Sequence, residues 1–124
     1  ADLLVEGRPL RVLGMHLDLS GLRRKDQVDA ILKHCASCGR ASPTVMLGDF
    51  NHWGVGRRAL AELRNGWQVL DTGKSFPSRQ PIAPLDRIVA STDWRCLEAG
   101  VHHSALAARA SDHLPVVAKL ELAA

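Results

Sequence analysis

The chain has 124 residues, of which 46% are hydrophobic and 23% charged, and its formal net charge is +3. This length and balance are typical of one globular domain and exclude a disordered or fibrous protein. The apolar runs are far shorter than the roughly 20 residues of a membrane-spanning helix, and no basic and apolar leader is visible, so neither membrane insertion nor export is expected. A mild positive charge suits phosphate-bearing partners without identifying one.

The first predicted elements are two strands and an amphipathic helix. Residues 2–6 and 10–17 favour β-structure, and the Gly-Arg-Pro turn between them predicts a hairpin. Between residues 22 and 34 the apolar residues recur at helical spacing, which predicts a helix. Ser20 is suited to be its N-cap, and Gly39 is suited to the position after its C-terminus.

A buried strand and a long loop are predicted in the middle of the chain. Residues 44–47 form a continuous apolar run, the pattern of a strand buried on both faces, and a Gly-Asp-Phe-Asn tetrapeptide follows at 48–51. Residues 57–64 predict a second helix, and residues 67–70 predict another strand. The segment 73–84 is too rich in Pro and Gly for regular structure, and loops of this length are often functional.

Three more β-favouring runs close the chain, at residues 85–90, 94–101 and 114–122. The order of elements predicts an α/β fold with one mixed sheet, helices on one face, and antiparallel pairing in the C-terminal part. No linker divides residues 1–124, so a single unit is expected.

The cysteines predict reduced thiols. Their number, three, is odd, which fits a cytoplasmic protein better than a disulfide framework. Cys35 and Cys38 form a CxxC pair, but the sequence offers no second pair at the spacing of a zinc site. We therefore interpret them as two thiols at a helix end.

Polar residues follow several of the predicted strands. Each group alone could be a structural turn, since Asp and Asn are good turn residues. Together, carboxylates, an amide and imidazoles at strand ends supply what metal-assisted hydrolysis requires: ligands for a hard cation, and a base for a water nucleophile. The residues concerned are His16, Asp49, Asn51, Asp86, Asp112 and His113.

These motifs resemble a known family. The segments 48–51, 85–88 and 111–116 are similar, in order and separation, to the three C-terminal signatures of the endonuclease/exonuclease/phosphatase superfamily, and His16 resembles a histidine of its deoxyribonuclease-like members. The loop 75–81 looks closest to a bacterial subgroup of small members. The resemblance implies half of a four-layer α/β sandwich and a phosphoester hydrolase that uses Mg²⁺, with Mn²⁺ as an alternative.

The resemblance also implies that the chain is the C-terminal half of such a domain. The family carries its chief metal glutamate in the N-terminal half, and nothing before His16 matches that motif. An isolated half would expose the sheet face that normally packs on its partner, and such apolar faces seek partners. A homo-oligomer formed through this face is therefore expected.

The family resemblance assigns a role to each motif residue. Asp49 would deprotonate the attacking water or bind a metal, and Asn51 would donate a hydrogen bond to the scissile phosphate. His113 would contact the same phosphate and stabilise its charge. Asp86 would hold His113 in one tautomer and keep it charged, and Asp112 would be a metal ligand.

Expectations also follow for His16 and for three further residues near these motifs. His16 would protonate the leaving oxygen or stabilise the phosphate, since its unperturbed pKa lies near neutrality. Arg79 and Arg87 are candidates to hold a substrate phosphate by bidentate contacts. Trp53, directly after the tetrapeptide, is placed to stack on a base, but it is expected instead to pack in the core or its rim, because one aromatic residue is no stacking platform.

Three functions are left open by the sequence. The leading hypothesis is a Mg²⁺-dependent phosphodiesterase that acts on nucleic acid. The second is a phosphatase or phospholipase-like hydrolase of lipid or small-molecule phosphates. The third is a catalytically inactive fragment that acts as an assembly module.

Overall fold

The structure is a computed structural model that describes residues 1–38, 41–54, 60–63 and 65–123. Within these ranges it contains seven strands, two α-helices and one short 3-10 helix. In chain order they are β1 (Asp2–Val5), β2 (Arg8–His16), α1 (Gly21–Ser37), β3 (Thr44–Asp49), the 3-10 helix (Ala61–Leu63), β4 (Trp67–Val69), β5 (Asp86–Ser91), β6 (Trp94–Val101), α2 (Ala107–Ala110) and β7 (Val116–Leu122).

Five strands form a mixed sheet in the order β1-β2-β3-β5-β4. Strands β2 and β3 are parallel and are joined through α1, as parallel strands require a crossover, and the other neighbours in this sheet are antiparallel. The predicted α/β class and mixed sheet are therefore confirmed. The last two strands differ from the expectation of a single sheet, because β6 and β7 pair only with each other in a separate antiparallel sheet.

The two faces of the five-stranded sheet bury two separate cores, as the alternation of side chains along a strand requires. On one face Met46 and Val89 pack with Val28 of α1. On the other face Val45 and Ile88 pack against side chains of β6 and β7. The pair of strands β6 and β7 therefore packs over the sheet, with its apolar side chains pointing toward this second face. They are Trp94, Cys96, Val116, Ala118 and Leu120.

The pair of strands β6 and β7 covers only part of this second face. Strand register places Leu3, Leu10 and Val12 on the same side as Val45 and Leu47. Leu3 is 45% exposed and Leu47 is 40% exposed. The prediction that residues 44–47 are buried on both faces is therefore wrong at Leu47, because no described element covers this part of the sheet.

The predicted ends of the helices are only partly supported. Ser20 occupies the N-cap position of α1, but its side chain makes no capping hydrogen bond, and its own N–H donates to Oδ1 of Asp18 at 2.7 Å. The helix ends at Cys38, whose N–H donates to the carbonyl of His34. Gly39 lies outside the described residues, as does half of the helix predicted at 57–64, of which residues 61–63 form the 3-10 helix.

The predicted loop 73–84 contains no helix or strand of the sheets. It is nevertheless fixed, because the N–H groups of Ser75 and Phe76 both donate to the carbonyl of Ala83, and Ser75 accepts at its carbonyl from the N–H of Leu114. The N–H of Ser78 donates to the carbonyl of Asp112 at 2.7 Å. These bonds hold the loop against the segment that precedes β7.

Candidate active site

Three polar side chains meet where β2 and β3 end and β5 begins. Because β2 and β3 are parallel, their carboxyl ends reach the same edge, and antiparallel β5 starts there. In register, His16 pairs with Asp49 and Asp49 pairs with Asp86. Paired residues share a sheet face, so these side chains stand side by side, on the same face as the partly exposed Leu47.

A glycine allows β2 and β3 to approach at this edge. Gly48 has φ of 141°, a conformation that L-residues rarely adopt. A Cβ atom at this position would lie 1.9 Å from the carbonyl oxygen of Met15 on β2. Only glycine therefore fits at position 48, directly before Asp49, where β3 passes close to the main chain of β2.

Asp86 and His113 form the tightest contact of the site. Nδ1 of His113 lies 2.6 Å from Oδ2 of Asp86, and the hydroxyl of Ser75 donates to the same oxygen at 2.6 Å. The Ser75 oxygen in turn accepts the N–H of Asp86 at 3.2 Å. The imidazole is therefore held with Nδ1 toward Asp86, which leaves Nε2 for a ligand, and the predicted hydrogen bond between Asp86 and His113 is observed.

The surroundings of His113 favour its charged form. Partial burial by itself would lower the pKa of His113, but the hydrogen bond that Nδ1 donates to Asp86 and the negative charges of Asp86, Asp49 and Asp112 outweigh it and raise the pKa above its ordinary value of 6.5. The imidazolium is consequently available to an anion over a wider pH range than a free histidine.

Asp49 lies between the two histidines. Its Oδ2 is 3.6 Å from Nε2 of His16 and 3.9 Å from Nε2 of His113. Both separations exceed a direct hydrogen bond, so Asp49 is not directly hydrogen-bonded to Nε2 of either imidazole. The Asp49 side chain is largely buried, whereas His16 is 78% exposed and open to solvent.

Asn51 holds the chain around Asp49. It has φ of 47°, a left-handed conformation that asparagine tolerates better than most residues. Its N–H donates to Oδ1 of Asp49 at 2.8 Å, and its side-chain amide donates to the carbonyl of Leu17 at 2.7 Å. The buried amide thereby ties the end of β3 to the end of β2, and its contact with a phosphate stays a prediction.

Three residues of the described chain have ligand atoms close enough for one metal ion: Asp49, Asp86 and His113, whose atoms lie within 4.8 Å of one another. Asp112 is exposed and does not belong to this group, and its role as a metal ligand stays a prediction. Oδ2 of Asp86 already accepts two hydrogen bonds, so Asp49 has the greatest free capacity. Mg²⁺ keeps several waters and often uses one or two carboxylates, so this donor set fits a largely hydrated cation held at Asp49.

The two candidate arginines occupy different environments. Arg87 is 8% exposed, and its Nη2 donates to the carbonyls of His52 at 3.1 Å and Gly54 at 2.8 Å. Burial lowers the pKa of Arg87, although the charge of Asp71 opposes this. Register pairs Arg87 with Gly48, so its side chain leaves the face that carries Asp86, and the structure corrects the expectation that it reaches a substrate phosphate. Arg79 is exposed in the loop 73–84.

Two residues of the site escaped the sequence interpretation, and a third was placed wrongly. Ser75 is fully buried and bonds Asp86, and the ring of Phe76 lies 4.8 Å from that of His113. Trp53 is 54% exposed, contrary to the expectation that it packs in the core or rim, and contacts Phe76 edge to face. One signal was available, since Phe76 is one of only two phenylalanines in the chain and stands in a polar loop.

Neither helix of the described residues has the length and hydropathy of a bilayer-spanning segment.

Residues 13–113 match the family model described as Endonuclease/Exonuclease/phosphatase family. No curated protein matches the sequence.

Several solved structures share the fold. A functionally unknown conserved protein of Enterococcus faecalis V583 has a TM-score of 0.77 at 21% identity, over 90% of this chain and 50% of its own. A mannosyl-6-phosphatase of Bacteroides thetaiotaomicron has a TM-score of 0.69 at 20% identity, over 94% and 53%. Humanized TDP2 of D. rerio has a TM-score of 0.73 at 12% identity, over 97% and 58%. The chain thus spans about half the length of these proteins.

Proposed function

This chain belongs to the endonuclease/exonuclease/phosphatase family, and we propose that it works as a metal-dependent hydrolase of phosphoester bonds. The observation that carries the proposal is the Asp86–His113 pair, whose free Nε2 faces Asp49 across a gap of 3.9 Å. A cationic donor and a carboxylate side by side at one edge of the sheet are what an anionic phosphate and an attacking water require.

The chemistry follows from where each proton is held. Charged His113 donates from Nε2 to a phosphoryl oxygen and stabilises the negative charge that builds on it. Asp49 accepts a proton from the attacking water as its oxygen bonds to phosphorus. His16, in its protonated form, gives a proton to the leaving oxygen as that bond breaks, so the products are an alcohol and a phosphate. Asp86 and Ser75 position His113 and do not touch the substrate.

A cation would add to these groups. Mg²⁺, or Mn²⁺ in its place, would be held at Asp49 and would polarise the phosphoryl oxygens. Asp49 already accepts the N–H of Asn51 at its other oxygen, which fixes the direction in which Oδ2 faces.

The substrate we propose first is a phosphodiester of nucleic acid. The formal charge of +3 and the exposed side chains of His16 and Arg79 favour an anionic polymer. The second candidate is a phosphomonoester of a small molecule. It is supported by the fold that the chain shares with the mannosyl-6-phosphatase. A cytoplasmic location stays a prediction, and it agrees with three free cysteines in the structure.

We also propose that the chain corresponds to the C-terminal half of a family domain, and that a second copy covers its open sheet face. That face includes Leu3 and Leu47, both at least 40% exposed, and Val5, which is 48% exposed. Apolar surface that is contiguous on a sheet favours association. Light scattering across a concentration series tests this directly: a dimer is expected, and a stable monomer would contradict it.

Cation binding is the first experiment for the proposed function. Calorimetric titration with Mg²⁺ is expected to show binding in the micromolar to millimolar range, which Asp49→Asn abolishes. Asp112→Asn is the matched control, because it removes the same charge from an exposed residue outside the ligand group. Loss of binding in both variants, or in neither, would contradict the assignment of Asp49.

Activity on generic esters then separates the candidate functions. Bis(p-nitrophenyl) phosphate reports phosphodiesterase activity, and p-nitrophenyl phosphate reports phosphatase activity. His113→Ala is expected to lower kcat by about 10²-fold to 10³-fold, the usual loss for one donor to a developing charge. Mg²⁺ binding without turnover of either ester would favour an assembly module over an enzyme.

A further inference from the structure

An exposed tryptophan lies beside the proposed site and takes no part in the mechanism above. Trp53 is 54% exposed, whereas the other two tryptophans, Trp67 and Trp94, are partly buried and packed against the cores. Leaving so large an apolar ring in water forgoes the stabilisation that its burial would bring. An exposed aromatic ring next to a polar site is a common feature of ligand recognition.

The ring is connected to the site through one other aromatic residue. Trp53 and Phe76 pack edge to face, with centroids 6.0 Å apart and planes at 84°. Phe76 in turn packs against His113, with ring centroids 4.8 Å apart. The centroids of the indole and the imidazole are therefore separated by no more than the sum of these two centroid distances. A single nucleotide can span that separation.

The loop that carries Trp53 is fixed on both sides of the ring. Arg87 binds the carbonyls of His52 and Gly54, the residues before and after it, and Asn51 is tied to the end of β2 through Leu17. Fixing the loop in the free protein lowers the entropy cost of ordering it when a ligand binds. The fixed loop is therefore suited to present the flat indole ring of Trp53 to a ligand.

We propose that Trp53 is a stacking subsite for the planar base of a nucleotide whose phosphate binds at His113. The inference rests on the proposed function and names its substrate class. The edge-to-face contact with Phe76 occupies at most one face of the indole, and every nucleobase offers a π-face to stack on.

Equilibrium binding of three phosphomonoesters to the whole chain tests this subsite. Adenosine 5′-monophosphate, ribose 5-phosphate and mannose 6-phosphate are titrated in Mg²⁺ buffer, with indole fluorescence and calorimetry as readouts. The adenine nucleotide is expected to bind about tenfold more tightly than ribose 5-phosphate, because stacking of one base is worth roughly 1–3 kcal/mol by alanine substitution. Trp53→Ala is expected to remove this difference, and Trp53→Phe is expected to keep most of it.

Four outcomes would overturn the subsite. Equal affinity for the nucleotide and ribose 5-phosphate, tighter binding of mannose 6-phosphate, or no nucleotide binding would each do so. A Trp53→Ala loss that is equal for all three ligands would indicate a purely structural role and would also overturn it. Base-dependent binding that persists although neither nitrophenyl ester is hydrolysed would overturn the proposed function and leave the stacking subsite standing.

Discussion

Replacing Asp86 with asparagine should uncouple His113 from its charged partner without changing the shape of the site. Asparagine is isosteric with aspartate and can still accept a hydrogen bond from Nδ1 of His113, so the ring need not move. The change removes one negative charge at 2.6 Å from the imidazole. We expect the pKa of His113 to fall, because the burial that opposes its charge persists while the largest stabilising contact is lost.

The size of the effect follows from the type of hydrogen bond. A hydrogen bond to a charged group contributes about 1.5–3 kcal/mol and one between neutral groups about 1 kcal/mol, so the substitution costs roughly 1–2 kcal/mol. If charged His113 stabilises the transition state, this corresponds to a fall in kcat of about tenfold, since about 1.4 kcal/mol is one factor of ten.

The assay follows the imidazole of His113 by NMR through a pH titration, so it does not depend on turnover. Asp112→Asn is the matched control, because Asp112 also raises the pKa of His113 by its charge but forms no hydrogen bond to it. A smaller fall in pKa is expected for the control than for Asp86→Asn. The two variants thereby separate the effect of a nearby negative charge on the pKa of His113 from the effect of the hydrogen bond to Asp86.

Protein stability should report the same coupling. The pKa of His113 is raised in the folded state, so its charged form favours folding. That contribution is complete below the unfolded pKa of about 6.5 and is lost as pH rises through the folded pKa. Asp86→Asn should flatten this part of the pH profile of unfolding. An unchanged His113 pKa in Asp86→Asn, or an equal fall in both variants, would refute the reasoning.

Two further substitutions test the supports of the site. Ser75→Ala should lower the free energy of unfolding by about 1–3 kcal/mol in chemical denaturation, because Asp86 loses a buried donor to its carboxylate and an acceptor for its N–H; a change below 0.5 kcal/mol, roughly that of a surface substitution, would contradict this. Gly48→Ala should prevent stable folding, since the new Cβ would collide with the carbonyl of Met15. Gly7→Ala is its control, because Gly7 also has a positive φ but meets no atom within 4 Å, and it should cost only about 1–2 kcal/mol in thermal or chemical unfolding.

Much of the fold could be predicted because hydrophobic periodicity is a local signal. The β-favouring run of β2 and the helical spacing in α1 are visible within each segment, and the order of elements indicates a mixed sheet. The separate sheet of β6 and β7 could not be inferred in this way. Whether a strand joins a sheet or stacks over it depends on which apolar faces meet, such as Val116 against Ile88, and those residues are distant in sequence.

The site was predictable where its residues are set by strand ends. Asp49 and Asp86 follow or begin buried strands, and the register that brings them together follows from the sheet. The role of Ser75 was not predictable, because it depends on how the loop 73–84 folds back over the ends of the strands. Trp53 was singled out from the sequence, but its exposure was not predictable, because it depends on which residues of this loop pack beside it. The role of Arg87 was obscured by its neighbour Asp86, since consecutive residues of a strand point to opposite faces.

The contacts of Arg87 have a consequence for how this protein can diverge. Its guanidinium holds the main-chain carbonyls of residues 52 and 54, and every amino acid supplies a carbonyl. The side chain at position 53 can therefore be exchanged by mutation without loss of the anchor. A lineage, or an engineer, could vary the residue that meets the ligand while the hydrolytic groups stay in place, so this loop is a natural starting point for libraries that seek new substrates.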